Sequence, residues 1–258
     1  MLTILGGTDA GLVRKNNQDK YEYKVLGELL CYGVLCDGMG GTDCGQLASQ
    51  TATDFVAQAL ERDLRPGMSE ASLKGVMMSA AAGANALVFD TAAQNPGCAG
   101  MGTTLVVAVV SGESVYISSV GDSRAYHFGS QGQKQLTKDH TVVQMLLDVG
   151  EISQEEAAEH PKRHLITRAV GVMPQVEADF VEHPFLPGDV LLLCSDGLYN
   201  YAGSENMDAP ALLTHLEKSV GAGSVDNLIE LAKNIGGGGD NITAVLICRE
   251  PAQPEEGA

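Results

Sequence analysis

Basic residues are scarce in this sequence. Its 258 residues include 16 Lys and Arg against 33 Asp and Glu, which leaves a net charge of −17 at pH 7. A surface with that excess of negative charge repels the phosphates of nucleic acids and the headgroups of anionic membranes. We therefore expect neither nucleic acid nor a membrane as a partner.

The chain also lacks paired cysteine motifs. None of its six cysteines forms a CxxC pair, and several lie in apolar runs, where a thiol packs as a small hydrophobe. A chain of this length can bury a core without disulfides, so we expect a reducing, cytoplasmic location. No cysteine is followed by arginine at the CxxxxxR spacing of thiolate phosphatases, which argues against a covalent cysteine mechanism.

Long hydrophobic runs and linkers are missing as well. No apolar stretch reaches the roughly 18 residues of a membrane span, and the first residues lack the basic leader of a signal peptide. The most apolar helix candidate, Val76 to Phe89, contains Asn85 and is rich in Ala and Gly, which favours a core helix. We predict one domain over residues 1–250 and a disordered Pro/Glu-rich tail over 251–258.

Short apolar runs bounded by Gly, Asp or Ser predict buried strands. They are Leu29 to Cys36, Thr103 to Val110, Val190 to Cys194 and Ile242 to Cys248. The short turn Ser111 to Ser114 predicts an antiparallel hairpin. Helical spacing appears over residues 48–60, 73–84 and 225–235, and Ser153 with Glu156 fits a capping box. Hairpin strands with long helices outside them indicate a layered α+β sandwich.

Four aspartates follow or precede these runs in turn-like sequence. They are Asp37, Asp122, Asp196 and Asp240. If folding brings them together, their oxygens would bind Mg²⁺ or Mn²⁺, and the glycine after the first would let the Gly38 carbonyl join them. Two such ions activate water for in-line attack on a phosphoester. Arg14 is the best candidate to hold the phosphate oxygens.

Six ordered blocks resemble the signatures of metal-dependent protein phosphatases of type 2C, and of their bacterial branch in particular. The blocks are Arg14 with Asp19, Asp37-Gly38-Met39-Gly40-Gly41, Gly102-Thr103-Thr104, Gly121-Asp122-Ser123-Arg124-Ala125, Ser195-Asp196-Gly197-Leu198 and Asp240-Asn241-Ile242-Thr243. The resemblance runs from about Thr8 to Cys248. It implies a four-layer α-β-β-α sandwich of two mostly antiparallel sheets flanked by helices, with a metal cleft at one end of the sheets.

The same resemblance implies a role for each site residue. Asp37 would bridge two Mn²⁺ or Mg²⁺ ions, Asp196 and Asp240 would complete the first ion, and the Gly38 carbonyl would bind the second. Asp19 would hold water in the outer shell, Asp122 would hold a third, weaker ion, and Arg14 would bind the substrate phosphate. The implied reaction is hydrolysis of phosphoserine and phosphothreonine in proteins by a metal-bridging hydroxide. The enzyme would be a monomer that opposes a bacterial Ser/Thr kinase.

Two positions depart from the family pattern. Met39 replaces a histidine assigned as general acid in eukaryotic relatives, and a thioether cannot donate a proton, so the acid is unassigned. Gln18 replaces a glutamate, and its amide can still hold water. Residues 138–171 match a mobile flap beside the cleft, whose histidines and arginines we expect to touch a phosphopeptide or to face solvent. Within this flap, Pro161 argues against a zinc site at His160 and His164.

Three other interpretations are open on sequence alone. A hydrolase of nucleotides or small phosphoesters would need a base-binding pocket, but this chain has no Trp and only five Phe to build one. An inactive phosphoprotein-binding module would have lost a metal ligand, yet all four aspartates are present. The related phosphatases of anti-sigma-factor antagonists usually lack the phosphate-binding arginine and carry sensory domains, whereas this chain has Arg14.

Overall fold

The computed structural model describes residues 1–41, 43–200 and 224–251. Eleven strands lie within these ranges: β1 Leu2–Asp9, β2 Asp19–Gly27, β3 Leu30–Met39, β4 Gly102–Thr103, β5 Leu105–Ser111, β6 Ser114–Val120, β7 Arg124–Gly129, β8 Gly132–Gln135, β9 Asp179–Pro184, β10 Val190–Cys194 and β11 Ile242–Arg249. The helices in the same ranges are α1 Cys44–Asp63, α2 Glu70–Gln94, α3 Val142–Asp148, α4 Gln154–Glu159, α5 Asp196–Tyr199 and α6 Ser224–Gly236, with a 3₁₀ turn at Pro96–Cys98. Apart from Pro251, the predicted disordered tail lies outside the described residues.

The strands form two antiparallel sheets. One has the order β1-β11-β10-β7-β8 and the other the order β2-β3-β5-β6-β9, with β4 paired to the end of β3. The predicted hairpin is present, because β5 and β6 pair from Leu105↔Val120 to Ser111↔Ser114. Gly112 in its two-residue turn has φ +65°, a conformation that glycine adopts without strain.

Alternating side chains of each strand fill separate layers of the core. On β3, Cys31 and Leu35 point into the layer between the sheets, where they meet Leu193 and Val245 of the other sheet. Val34, the residue before Leu35, points to the opposite face of the strand and packs against α1 and α2. Helix α6 covers the outer face of the first sheet. The predicted four-layer α-β-β-α sandwich is therefore confirmed.

Helix α2 is the most apolar helix, as predicted, but it is longer than the predicted apolar segment. Among the residues described, it is the one helix whose length and composition would allow it to cross a membrane. Its buried face, which includes Leu73, Met77 and Ala84, packs into the core layer against β3 and β5. We therefore assign it as a core helix of the sandwich.

The capping box at Ser153 is confirmed, since Ser153 and Glu156 exchange side-chain to backbone hydrogen bonds of 3.3 and 2.8 Å. The helix it opens, α4, ends at Glu159 before Pro161.

The cysteines differ from the sequence expectation. Cys44 at the start of α1 and Cys98 in the 3₁₀ turn form a disulfide across 54 residues of sequence, whereas Cys31, Cys36, Cys194 and Cys248 are free thiols. The expectation of a chain without disulfides is wrong for this pair. No local motif marks the pair, because the two residues meet only when α1 and α2 pack side by side.

Candidate functional site

A cleft of about 770 Å³ opens at one end of the two sheets. The candidate residues that line it are Arg14, Asp37, Gly38, Asp122, Asp196 and Asp240. They come from distant parts of the chain: Asp122 from the β6–β7 loop, Asp196 from the first turn of α5, and Asp240 from the residues before β11. The structure thus brings the four aspartates and Arg14 to one place.

Asp37 lies inside β3 and not in a turn after it. The strand continues because Gly38 and Met39 pair with Thr103 and Gly102 of β4. The Asp37 backbone N–H donates to Thr104 Oγ1 at 2.9 Å, and this hydroxyl also bonds Ser123 Oγ at 2.7 Å. Buried hydroxyls therefore hold the Asp37 backbone and the Asp122 loop together.

Gly38 is a position where only glycine fits. A Cβ atom there would lie 2.0 Å from the Gly45 carbonyl oxygen and 2.8 Å from that of Gln18. The absence of a side chain lets the backbone of β3 approach the start of α1 closely. The same close approach leaves the Gly38 backbone, and not a side chain, at the wall of the cleft.

Asp19 lies beneath the cleft and is 1% exposed. Its Oδ2 accepts hydrogen bonds from Ser195 Oγ at 2.8 Å and from Thr243 Oγ1 at 2.6 Å. Its Oδ1 is buried with no hydrogen-bond partner. A buried carboxylate oxygen without a partner is costly, and a water held by a cation would satisfy it.

Four carboxyl groups in or beneath the cleft, those of Asp19, Asp37, Asp122 and Asp196, have raised pKa values. Burial, then repulsion from Asp19 and Asp196, raises the pKa of Asp37 well above its ordinary value. Burial also raises the pKa of Asp19 and of Asp122 to about 7 and that of Asp196 to about 6. Mutual repulsion of this kind favours either a proton or a cation between the groups.

The donor set fits a hard divalent cation. Burial and mutual repulsion raise the pKa of Asp37 and of Asp196, and a cation between such carboxylates relieves the repulsion. Within the ranges described, no three His, Cys, Asp or Glu side chains are gathered closely enough to form a ligand set by themselves. Backbone oxygens and water would therefore complete the coordination, as Mg²⁺ and Mn²⁺ sites commonly allow.

Arg14 lies in the loop between β1 and β2, at the mouth of the cleft. Its Nη2 donates to Asp240 Oδ2 at 2.7 Å, and its side chain is 54% exposed. The loop packs tightly against the residues before β11, since a Cβ atom on Gly11 would lie 2.2 Å from the Asp240 carbonyl oxygen. Gly11 has φ +77°, which glycine tolerates.

The flap residues divide into two groups. His164 and Ile166 line the cleft, and partial burial together with Arg163 lowers the pKa of His164. His140 is 8% exposed, and its Nδ1 accepts from the Gly121 N–H at 3.0 Å. For His140 the expectation of substrate or solvent contact is therefore wrong.

Arg168 of the flap is bonded to residues on and just before β9, which lie outside the flap. Its Nη1 donates to Asp179 Oδ1 at 2.8 Å and to the Glu177 carbonyl at 2.9 Å, and it contacts the His140 ring. His160 lies just after α4, so it and His164 do not share the helix that a zinc site at this spacing requires.

Sequence reasoning gave no role to several polar residues that support the site. They are Thr104, Ser123, Ser195, Asn241 and Thr243. Each belongs to one of the six blocks, and each is at most 5% exposed. A small polar residue inside an apolar strand or at its end is the signal that could have found them, because a buried polar group needs a partner.

Known proteins resemble this chain over nearly its full length. The family model for Protein phosphatase 2C matches residues 8–229. The serine/threonine phosphatase stp of Listeria innocua is 35% identical over 251 residues, which cover 95% of each protein. The structure of Stp1 from Staphylococcus aureus has 33% identity and a TM-score of 0.86, with 97% of this chain and 96% of that one covered.

A second solved structure carries metal. It is the catalytic domain of the serine/threonine protein phosphatase PstP in complex with two manganese ions, with 35% identity, a TM-score of 0.78, and 96% of this chain and 97% of that one covered. Sequence identity of this order over almost the whole of both chains, together with the common fold, leads to one assignment. The chain belongs to the protein phosphatase 2C family.

Proposed function

We propose that this protein is a metal-dependent protein-serine/threonine phosphatase. The observation that carries the proposal is the meeting of Asp37, Asp122, Asp196 and Asp240 in one cleft with Arg14 at its mouth. The similarity to bacterial serine/threonine phosphatases supports the same reaction. Family membership by itself would not suffice, because function depends on the residues of the site.

The residues have distinct roles in this proposal. Asp37, Asp196, Asp240 and the Gly38 carbonyl would hold two Mn²⁺ or Mg²⁺ ions. Asp122 would help to hold a third, weaker ion, and Asp19 would orient water in the outer shell. The raised pKa values of Asp37 and Asp196 support metal binding, because buried carboxylates that repel one another favour a cation among them.

The metals, when bound, would lower the pKa of a water ligand and would place positive charge beside the phosphoryl oxygens. The side chains of the protein would hold the substrate phosphate and the metal ligands in position. The Arg14 guanidinium is suited to bind two phosphate oxygens at once. The Ser195 hydroxyl holds the Asp19 carboxylate, and the Thr104 hydroxyl holds the Asp37 backbone. The general acid for the Ser or Thr leaving group is not assigned, since Met39 has no proton to give.

Several finer features belong to the same proposal. The substrates are phosphorylated proteins, the cellular role is to oppose a Ser/Thr kinase, and the enzyme acts as a monomer. A cytoplasmic location is favoured by the free thiols of Cys31, Cys36, Cys194 and Cys248. In that location the Cys44–Cys98 bond would form only under oxidising conditions.

The deciding experiment is hydrolysis of a phosphothreonine peptide and of p-nitrophenyl phosphate by the purified protein. Turnover should require Mn²⁺ or Mg²⁺, stop with EDTA, and disappear in Asp37→Asn. Folded protein without turnover under any metal would contradict the proposal and favour a phosphoprotein-binding module.

A further inference from the structure

The side-chain amide of Asn241 forms hydrogen bonds, through both its nitrogen and its oxygen, with the backbone of one loop. Asn241 follows Asp240 and is 5% exposed. Its Nδ2 donates to the carbonyl oxygens of Ala10 and Asn16, both at 3.0 Å. Its Oδ1 accepts from the Gln18 N–H at 2.8 Å. Both amide hydrogens and the amide oxygen are thus bonded to residues about 225 positions earlier in the chain.

These three bonds join the two ends of the loop that carries Arg14. The loop leaves β1 after Asp9 and enters β2 at Asp19, so Ala10 is its first residue and Gln18 its last. A further bond, from the Leu12 N–H to the Gly238 carbonyl at 2.7 Å, ties the loop to the same stretch before β11. The residues before β11 therefore bond the loop near its start and at its end, in addition to the bonds that its later residues make with Asp43, Gly41 and Ser49.

The position of the Arg14 guanidinium depends on this loop. A long, exposed arginine side chain has many rotamers, and ordering it costs free energy that a fixed backbone reduces. Free movement of residues 10–18 would spread the guanidinium over many positions and weaken its contact with a phosphate. Asn241 would affect substrate binding only through Arg14, because both of its amide hydrogens are bonded to the loop and neither is left to donate to substrate.

We propose that Asn241 is a positioning residue, whose amide holds the 10–18 loop in the conformation that presents Arg14 to the substrate phosphate and thereby sets KM. This inference rests on the proposed phosphatase function. It predicts that Asn241 acts through Arg14 and not through its neighbour Asp240. The bonding pattern explains the residue type, since an Asp would place a second oxygen against two carbonyls and an Ala would bond none of the three groups.

The chain offers a matched control. Asn85 on α2 is 1% exposed and makes the same set of bonds to another loop. Its Nδ2 donates to the carbonyls of Met173 and Pro174, and its Oδ1 accepts from the Gly171 N–H. Asn85→Ala should therefore lose the same number of buried hydrogen bonds as Asn241→Ala, without touching the Arg14 loop.

The test is a double-mutant cycle on the Mn²⁺-loaded enzyme with a phosphothreonine peptide. Asn241→Ala should raise KM about tenfold and leave kcat and the Mn²⁺ concentration for half-activation within about twofold. In an Arg14→Ala background the same substitution should change KM by less than about twofold, because the group it positions is gone. Any change that Asn85→Ala causes in KM through Gly171, the last residue of the flap, should be equal in both backgrounds, because Asn85 does not contact the Arg14 loop.

Hydrogen exchange gives a readout that does not need turnover. Amides of residues 10–18 should exchange at least about tenfold faster in Asn241→Ala than in wild type or Asn85→Ala. Asn241→Ser, which keeps at most one of the bonds, serves if the alanine variant does not fold. An equal rise in KM with and without Arg14, or a loss of Mn²⁺ affinity with KM unchanged, would overturn the inference. Absence of turnover in the wild type would instead refute the proposed function.

Discussion

Asp19 on β2 lies directly opposite Asp37 on β3 in the antiparallel register of the two strands. Burial raises the pKa of both carboxyl groups; repulsion from Asp19 raises that of Asp37 further, and repulsion from Asp196 and Asp240 raises that of Asp19. The arrangement is unfavourable for an isolated sandwich and favourable for one that binds cations. It makes the stability of the fold depend on both pH and metal.

The metal-free protein should lose stability as pH rises. A carboxyl whose folded pKa is about 7, as for Asp19, holds a proton that the unfolded chain releases near its ordinary value of 3.8. The folded state therefore binds more protons between these values, and the free energy of unfolding falls as pH rises from about 4 to about 7. In EDTA the Tm should be lower at about pH 7.5 than at about pH 5.5, and Mn²⁺ should restore it most at the higher pH.

Asp37→Asn supplies the comparison for that pH series. The amide cannot ionise, so the fall in Tm between these pH values should be smaller in the variant, and its Tm in EDTA near pH 7.5 should exceed that of the wild type. A Tm that rises with pH in EDTA, alike in wild type and variant, would show that the cleft carboxylates do not control stability.

Turnover should depend on Asp37 and Asp196, which both line the cleft. Asp37→Asn and Asp196→Asn each remove a negative charge next to the ions, and loss of several kcal/mol of charge stabilisation corresponds to a fall in kcat of about 10³-fold or more. Asp54→Asn, an exposed α1 residue bonded to Gln50, is the control and should retain activity. Steady-state kinetics at saturating Mn²⁺ would measure this, and activity near wild type in both site variants would refute the assignment.

Arg14→Ala should act mainly on substrate binding. Loss of the guanidinium removes a phosphate contact, so KM should rise about tenfold while kcat changes little. Arg14→Lys should recover only part of the effect, because an ammonium cannot make the paired contact. Arg62→Ala removes an exposed arginine on α1 that pairs with Asp63 and should have no effect. KM values like those of the wild type in Arg14→Ala would exclude the assigned role.

Thr243→Val tests the hydroxyls around Asp19. Valine keeps the shape of threonine but removes the hydroxyl that donates to Asp19 Oδ2 at 2.6 Å, which should loosen the carboxylate and weaken Mn²⁺ binding by about 10- to 100-fold. Isothermal titration with Mn²⁺ would measure the change. Thr53→Val on α1, whose hydroxyl is buried without a hydrogen-bond partner, is the control. Equal affinities for all three proteins would mean that the hydroxyl does not support the metal site.

The Cys44–Cys98 bond should stabilise the oxidised protein. A disulfide across 54 residues restricts the unfolded chain, and its removal in a Cys44→Ser, Cys98→Ser variant should lower the free energy of unfolding by about 2–4 kcal/mol. Urea unfolding would measure this, with Cys248→Ser as the free-thiol control. In excess dithiol reductant the wild type should match the double variant. A difference that persists after full reduction would assign the effect to the packing of the cysteines.

Local sequence was sufficient to predict most elements of the fold. The capping box at Ser153 and the turn after Ser111 were predicted correctly, because each depends on residues within four positions of one another. The apolar runs at Val190 and Ile242 predicted strands β10 and β11 within a residue of their ends. The family resemblance added the layer order, which no local pattern contains.

What the sequence by itself determined is therefore the central strands, the long helices, the α4 capping box and the candidate residues of the site. Only the tertiary structure decided which distant residues meet. Examples are the Cys44–Cys98 disulfide, the hydrogen bond of His140 with Gly121, and the hydrogen bonds of Asn241 with the Arg14 loop. The physical reason is that propensities and hydrophobic periodicity act over a few neighbouring residues. Contacts between residues tens to hundreds of positions apart depend instead on the register of the sheets and on how the helices pack against them.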